Sequence, residues 1–227
     1  MTIDQFINSS LGRKTVMAAT GLFLCAFLVE HLYGNLLLFY SDGGQAFIEY
    51  SHDAVHSILI RTIEVVLFVA IVVHVVQAVY LTKQNSDARP VKYAMYKVGE
   101  TSNWFSRNMG ITGSVILFFI VVHLWHFFVP YRITGTVGDG GEMNVAQAVK
   151  VAFQSGWYVL LYVVSVLFLS FHLNHGFQSA FRSLGLNNRT YEKILSLTGS
   201  FFAFVVVGIG FASFPILFYF GIVGTTF

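Results

Sequence analysis

The sequence predicts an all-α integral membrane protein, a bundle of five transmembrane helices. Of its 227 residues, 56% are hydrophobic and only 11% are charged, whereas a soluble domain carries about 25% charged residues. Five continuous apolar runs are each long enough to cross a bilayer, which takes about 20 residues. Because these runs show no alternation of apolar and polar residues, they are typical of helices and not of barrel strands.

The whole chain, residues 1–227, is predicted to form one membrane domain. The spans are placed near residues 16–40, 58–81, 109–129, 156–181 and 195–222. Between the first two, the stretch GGQAFIEYSHDAVHS predicts a short interfacial helix, and ITGTVGDGGEMN predicts a flexible turn after the third. The fifth span contains no histidine and is interpreted as scaffold, with Gly199, Gly208 and Gly210 permitting close packing and Pro215 introducing a kink.

The distribution of basic residues predicts a cytoplasmic N-terminus and a C-terminus outside. Ten of the thirteen lysines and arginines lie in the N-terminal segment, the second loop and the fourth loop, and basic residues accumulate on the cytoplasmic side. The other three are Arg61, Arg132 and Lys150. The second loop, KQNSDARPVKYAMYKVGETSNWFSR, is long and basic, which predicts a docking surface for a soluble partner.

Four histidines, one from each of the first four spans, lie near the far ends of their apolar runs: His31, His74, His123 and His172. Ionisable side chains inside a membrane are costly and indicate function, and imidazole is the commonest metal ligand. Helix rise places His31 with His123 in the outer half of the membrane and His74 with His172 in the inner half. The two levels are on the order of 15 Å apart.

This arrangement predicts two stacked haems, each held by two imidazoles from two helices. Two axial ligands leave no open position for oxygen or substrate, so the haems are expected to carry electrons. One alternative is that the histidines satisfy polar partners between helices. A zinc site is a weaker alternative, because zinc sites usually gather all their ligands at one point.

Further polar residues flank the four histidines. His126 and His175 follow His123 and His172 by three positions, so each pair shares roughly one helix face; they are interpreted as partners of haem propionates, quinone or water, or as interfacial polar residues. On the inner side, the predicted propionate or quinone partners also include Gln77, Asn174, Gln178 and Arg182.

On the outer side, a quinone or proton path is predicted at a separate set of ionisable residues. For Arg61 and Glu64, three positions apart, an ion pair is the competing interpretation. The full set consists of Glu30, Arg61 and Glu64 in the spans and Glu49, His52, Asp53 and His56 in the outer loop.

The sequence also resembles a known family, the dihaem cytochrome b membrane subunit of bacterial succinate:quinone oxidoreductases (succinate dehydrogenase or fumarate reductase). The resemblance runs from about Ser10 to the end of the fifth span. The segments that carry it are GRK, TGLFLCAFLVEHLYGNLLLF, AFIEYSHDAVHS, RTIE, VVHVVQAVY, NSDARPVKY, VVHLWHF and SFHLNHGFQSAF.

The resemblance implies five helices and two b-type haems with bis-histidine ligation. His31 and His123 would ligate the haem distal from the soluble subunits, and His74 and His172 the proximal one; neither His126 nor His175 is a ligand in the family pattern. The implied partners are a flavoprotein with covalent FAD, an iron–sulfur protein on the cytoplasmic face, and menaquinone or another quinone. The implied location is the cytoplasmic membrane of a bacterium. The resemblance implies no nucleic-acid partner and is compatible with a higher oligomer.

The chain shows no flavin-binding motif, and Cys25 is its single cysteine, so we expect no succinate active site in it. Two rival functions stay open. One is the cytochrome b subunit of a hydrogenase or formate dehydrogenase, disfavoured by the basic cytoplasmic face. The other is a proton-coupled transporter, which would normally show paired repeats or broken helices. The direction of electron flow and the quinone type also stay open.

Overall fold

A computed structural model describes residues 2–87, 107–186 and 188–223. Within these ranges the structure is helical, and its β-structure is limited to an isolated bridge between Val137 and Met143. The helices are α1 (Ile3–Asn8), α2 (Ser10–Leu36), α3 (Gln45–His56), α4 (Ile58–Asp87), α5 (Met109–His123), α6 (Val145–Ala152), α7 (Gly156–Ser183), α8 (Arg189–Phe201) and α9 (Gly210–Tyr219).

Three segments of non-α helix extend these elements. A 3₁₀ turn, Leu37–Phe39, follows α2. A π-helix, Leu124–Ile133, continues α5. A second π-helix, Phe202–Ile209, joins α8 to α9.

Among the described residues, five helical segments are long and apolar enough to cross a membrane, which confirms the predicted five-span, all-α class. They are Ser10–Phe39, Ile58–Asp87, Met109–Ile133, Gly156–Ser183 and Tyr191–Tyr219. The orientation of the termini stays a prediction. The basic second loop that we interpret as a docking surface lies mostly at residues 88–106, outside the described residues.

The third span differs from the prediction at its C-terminal end. The apolar run suggests an end near Val129, but the helix continues to Ile133. Pro130 lies inside this extension, where a proline ring would clash with the carbonyl four residues earlier in an α-helix. The π-helical turns are wider, so the chain passes the proline without ending the helix.

The first four spans form a four-helix bundle. Helix α2 packs against α4 and α7, and α5 packs against α7. The remaining side is closed by a contact between the rings of Phe68 on α4 and Phe128 on α5, whose centroids are 5.2 Å apart. Helices α2 and α5 therefore lie on one diagonal of the bundle, and α4 and α7 lie on the other.

The fifth span packs outside this bundle, against α7 and α2. A Cβ atom at Gly208 would lie 2.8 Å from Ser170 Oγ, and one at Gly210 would lie 3.0 Å from Leu32 Cδ2. At Gly199 the nearest atom would be Phe177 Cδ1, at 2.9 Å. The three glycines thus permit the close packing that we expected. The α-helical pattern is interrupted at Phe202–Ile209, before Pro215, and α9 runs through this proline.

The predicted short helix between the first two spans is present as α3. It docks on α2 through Tyr50, whose ring lies over Gly34; a Cβ atom at Gly34 would be 2.7 Å from Tyr50 Cε1. The Tyr50 hydroxyl donates a hydrogen bond to Glu30 on α2. Burial and this hydrogen bond raise the pKa of Tyr50 above its ordinary value.

Candidate functional site

The structure brings the four histidines together as two pairs, one on each diagonal of the bundle. His31 on α2 faces His123 on α5, with ring centroids 5.8 Å apart. His74 on α4 faces His172 on α7, with ring centroids 6.4 Å apart. We call the first the outer pair and the second the inner pair, after the predicted orientation. All four rings are half-buried.

Each histidine of the inner pair is held by a threonine from one of the other two helices. His74 Nδ1 lies 3.1 Å from Thr20 Oγ1 on α2. His172 Nδ1 lies 3.3 Å from Thr112 Oγ1 on α5. The two diagonals are thereby coupled, because the helices that carry the outer pair also position the inner pair.

The threonine hydroxyls indicate which tautomer these rings adopt. Thr20 donates its hydroxyl proton to the carbonyl of Val16, at 2.9 Å, and Thr112 donates to that of Met109, at 3.1 Å. Each hydroxyl oxygen is therefore left to accept a hydrogen bond from the histidine Nδ1–H. The lone pair is then on Nε2, as a neutral imidazole needs for binding a metal, and ligating histidines are usually oriented in this way.

Two glycines make room beside the inner pair. A Cβ atom at Gly21 would lie 3.4 Å from His74 Cε1, and one at Gly113 would lie 3.7 Å from His172 Cε1. Gly21 follows Thr20, and Gly113 follows Thr112. The same Thr-Gly dipeptide thus provides both the hydrogen bond and the space on α2 and on α5.

The outer pair is held mainly by aromatic rings. The ring of His31 stacks on Phe27 and on Phe211, with centroids 5.4 and 5.6 Å apart. The ring of His123 stacks on Phe119 at 5.7 Å, and its Nδ1 lies 2.9 Å from the hydroxyl of Tyr162 on α7. Phe211 belongs to α9, so the fifth span also contributes to this site.

A chain of hydrogen bonds links His123 to the surface of the described structure. The Tyr162 hydroxyl lies 3.1 Å from the Tyr158 hydroxyl. The Tyr158 hydroxyl in turn lies 2.6 Å from Nδ1 of His126, which is exposed. His126 is therefore two hydroxyl groups away from the ring of His123.

The spacing along α2 gives the separation between the two pairs. Gly21 lies beside the His74 ring, and His31 lies ten residues further along the same helix. On α5, Gly113 lies beside the His172 ring and His123 again follows ten residues later. Ten residues of α-helix rise about 15 Å, so the pairs lie on two levels at about that separation.

The separation within each pair fits two imidazoles that ligate one metal. A metal–imidazole bond is about 2 Å long, and with the distance from each nitrogen to its ring centre the two centroids would be about 6 Å apart. The observed values of 5.8 and 6.4 Å lie on either side of this distance. In the described ranges, no three His, Cys, Asp or Glu side chains cluster closely enough to hold a metal, so these histidines offer two ligands at each level.

The outer polar residues form separate contacts. Glu64 accepts hydrogen bonds from Arg61 at 3.0 and 3.1 Å, which form the ion pair of the competing interpretation, and a further one from Arg132 at 3.3 Å. Glu30 accepts from Tyr50. In α3, Glu49 accepts a hydrogen bond from Gln45. His52 lies between Asp53 and Asp139, and its ring is near that of His56. The structure does not gather these residues into one path.

The inner polar residues also fall into two groups with different surroundings. Gln77 Oε1 is buried and has no hydrogen-bond partner in the described structure. By contrast, Gln178 and Arg182 line a small cleft against α8, outside the four-helix bundle. Gln178 donates to the carbonyl of Asn174, Arg182 pairs with Glu192 at 3.2 Å, and His175 is half-buried. The contacts of Gln178 and Arg182 thus face the fifth span and not the inner pair.

Sequence reasoning missed the residues that support the histidines: Thr20, Gly21, Thr112, Gly113 and Tyr162. A signal for four of them was present, since Thr-Gly occurs at the same distance before His31 and before His123. No comparable signal marks Tyr162, which meets His123 only through the packing of α7 against α5.

Comparisons with protein-family profiles, with curated proteins and with solved structures found no match to this chain.

Proposed function

We propose that the chain is a dihaem cytochrome b that carries electrons across the membrane, as the membrane subunit of a succinate:quinone oxidoreductase. The observation that carries the proposal is the presence of two histidine pairs on crossed diagonals, with ring separations that suit one metal each. The resemblance in sequence supports the choice of haem as the metal group and of succinate dehydrogenase or fumarate reductase as the complex.

In this proposal the residues of the chain bind the haems, orient the ligating rings and keep other molecules away from the iron. His31 with His123 and His74 with His172 would each hold one haem iron, and Thr20, Thr112 and Tyr162 fix the orientation of three of these rings. When bound, haem supplies a metal that gains and loses one electron at a time. With two imidazoles on each iron, the protein would leave no open position for oxygen or substrate.

The position of the pairs supports transfer along the axis of the bundle. The two levels are about 15 Å apart along the bundle, so they divide the thickness of the membrane into short steps. We propose that electrons pass between an iron–sulfur subunit on the cytoplasmic face and menaquinone or another quinone. A flavoprotein with covalent FAD would complete the complex in the cytoplasmic membrane of a bacterium.

The first experiment is a reduced-minus-oxidised spectrum of the purified chain, with the haem extracted and counted. We expect the spectrum of a b-type cytochrome and two haems per chain. His126→Ala should also retain two haems, because His123 and not His126 faces His31. His56→Ala, on α3, serves as a control for loss of a histidine outside the bundle. A colourless wild-type preparation would rule out the proposal and favour the proton-coupled transporter.

A second experiment separates the proposed complex from that of a hydrogenase or formate dehydrogenase. The tagged chain is purified from its native membranes in mild detergent, and the preparation is examined for covalently bound flavin and for succinate-dependent reduction of the haems. Both are expected. Reduction by hydrogen or formate, without covalent flavin, would assign the chain to the rival complexes.

A further inference from the structure

Arg132 has a buried hydrogen-bond donor without an acceptor. Its side chain is only 13% exposed, and its Nη2 donates to Glu64 at 3.3 Å. Its Nε is buried and has no partner among the described residues. A buried donor on a charged group is costly to leave unpaired, so a group that these residues do not supply is expected to face it.

The charge balance around Arg132 favours an anion as that group. Glu64 is the carboxylate in contact with Arg132, and it also accepts two hydrogen bonds from Arg61, at 3.0 and 3.1 Å. Two guanidinium groups thus share one carboxylate. Arg61 is 44% exposed, whereas Arg132 is 13% exposed and its Nε is buried. A second carboxylate would complete the pairing of the buried arginine.

The depth of this contact matches that of the outer pair. Glu64 precedes His74 by ten residues on α4, so it lies about 15 Å from the level of the inner pair. The outer pair lies at the same distance from that level, in the same direction. Glu64 therefore lies at the depth of the outer pair, on the α4–α5 side of the bundle, and the Arg132 side chain reaches it from a backbone position nine residues beyond His123, nearer the outer end of the helix.

The π-helix determines which way Arg132 faces. Arg132 follows His123 by nine residues, which in an α-helix turn about 900° and would place it on the opposite face. A π-helix takes roughly one more residue per turn, so nine residues make close to two full turns. The segment Leu124–Ile133 is π-helical, and Arg132 is thereby returned to the face of the helix that carries His123.

We propose that Arg132 binds a propionate carboxylate of the haem held by His31 and His123. The inference rests on the proposed function and adds a residue to the outer site that the sequence did not indicate. The buried Nε–H donates to the propionate, while Nη2 keeps its contact with Glu64. Arg132 positions the group and tunes its potential, and it does not ligate the metal.

The test compares three variants of the full-length purified chain: Arg132→Gln, Arg132→Lys and Arg61→Gln. The midpoint potential of each haem is measured by an optical redox titration, and propionate hydrogen bonding is read from the resonance Raman bending bands. Arg132→Gln should lower the potential of the outer haem and leave the inner one unchanged, because a buried positive charge favours the reduced form. The Raman band should shift in the same variant.

The other two variants serve as matched comparisons. Arg132→Lys keeps the charge but loses the planar donor fork, so it should give a smaller shift in potential and still alter the Raman band. Arg61→Gln removes an equal charge from a solvent-exposed position, where screening is strong, and should leave the band unchanged. If Arg132→Gln does not accumulate, Arg132→Lys alone carries the test.

The outcomes distinguish this inference from the proposed function. Two haems in the wild type, with no change in the outer potential or the Raman band of the Arg132 variants, would overturn the role of Arg132 alone. Equal shifts in Arg132→Gln and Arg61→Gln would also overturn it, because they would reflect net charge and not a direct contact. Absence of haem from the wild type would overturn both proposals.

Discussion

The inner and outer histidine pairs have similar ring separations but are held by different means. At the inner pair, Nδ1 of both rings meets a threonine hydroxyl, and a glycine lies beside each ring. At the outer pair, phenylalanine rings stack on both histidines, and Nδ1 of His123 meets the phenol of Tyr162. Small polar residues thus position one pair, and large aromatic residues position the other. Since surroundings tune a haem, we expect two distinguishable redox centres.

The largest effect should come from removing a ligand at one level. His74→Ala or His172→Ala should remove the inner haem and leave the outer one, and His31→Ala or His123→Ala should do the reverse. The haem content of each variant should fall from two per chain to one, as measured by extraction and by the difference spectrum. Equal loss of both haems from all four variants would contradict the assignment of pairs to separate levels.

The next effect should come from filling the space beside the inner pair. At Gly21 a Cβ alone would already be in van der Waals contact with the His74 ring, 3.4 Å from Cε1. The further carbon atoms of Gly21→Leu should therefore crowd the space beside this ring, and we expect the inner haem to be lost. Gly110→Leu is the matched control, because no atom lies within 4 Å of a Cβ atom at this position. If Gly21→Leu retains two haems, the glycine is not what shapes the inner site.

A smaller effect is expected from the hydrogen bonds to the rings. Tyr162→Phe removes the hydrogen-bond partner of His123, and Thr112→Val removes the hydrogen-bond partner of His172. Loss of a hydrogen bond to a ligating histidine typically weakens metal binding about 10- to 100-fold. Tyr162→Phe should weaken only the outer haem and Thr112→Val only the inner one, as titrated with limiting haem. We expect the loss in Tyr162→Phe to lie at the lower end, because ring stacking still orients His123.

The smallest effect should fall on α3, away from both pairs. Tyr50→Phe removes the hydrogen bond to Glu30, which is worth about 1 kcal/mol or less at a partly exposed position. The protection of α3 amides from hydrogen exchange should decrease, and haem content should not change. Because the folded pKa of Tyr50 is raised above 10.0, the contact stabilises docking below pH about 10 and weakens as the pH rises further. Protection that stays constant up to strongly alkaline pH would contradict this.

Much of the candidate site could be predicted from the sequence, because helix rise and the order of the spans are local properties. Depth estimates alone matched His31 with His123 and His74 with His172. The supporting contacts were harder to predict from the sequence, because Thr20 and His74 are 54 positions apart and Thr112 and His172 are 60 apart. The predicted inner partners Gln178 and Arg182 show the same limit, because nothing local indicates that their contacts face α8.

The sequence by itself determined the five apolar helices and the depths of His31, His74, His123 and His172 along the first four. Length, hydrophobicity and rise per residue depend only on the order of residues along the chain. Only the tertiary structure decided that the pairs lie on the diagonals of the bundle, that Tyr162 reaches His123, and that a π-helix turns Arg132 back toward His123. These features depend on how helices far apart in sequence pack side by side, and on how the backbone passes Pro130, neither of which a periodic pattern of apolar residues encodes.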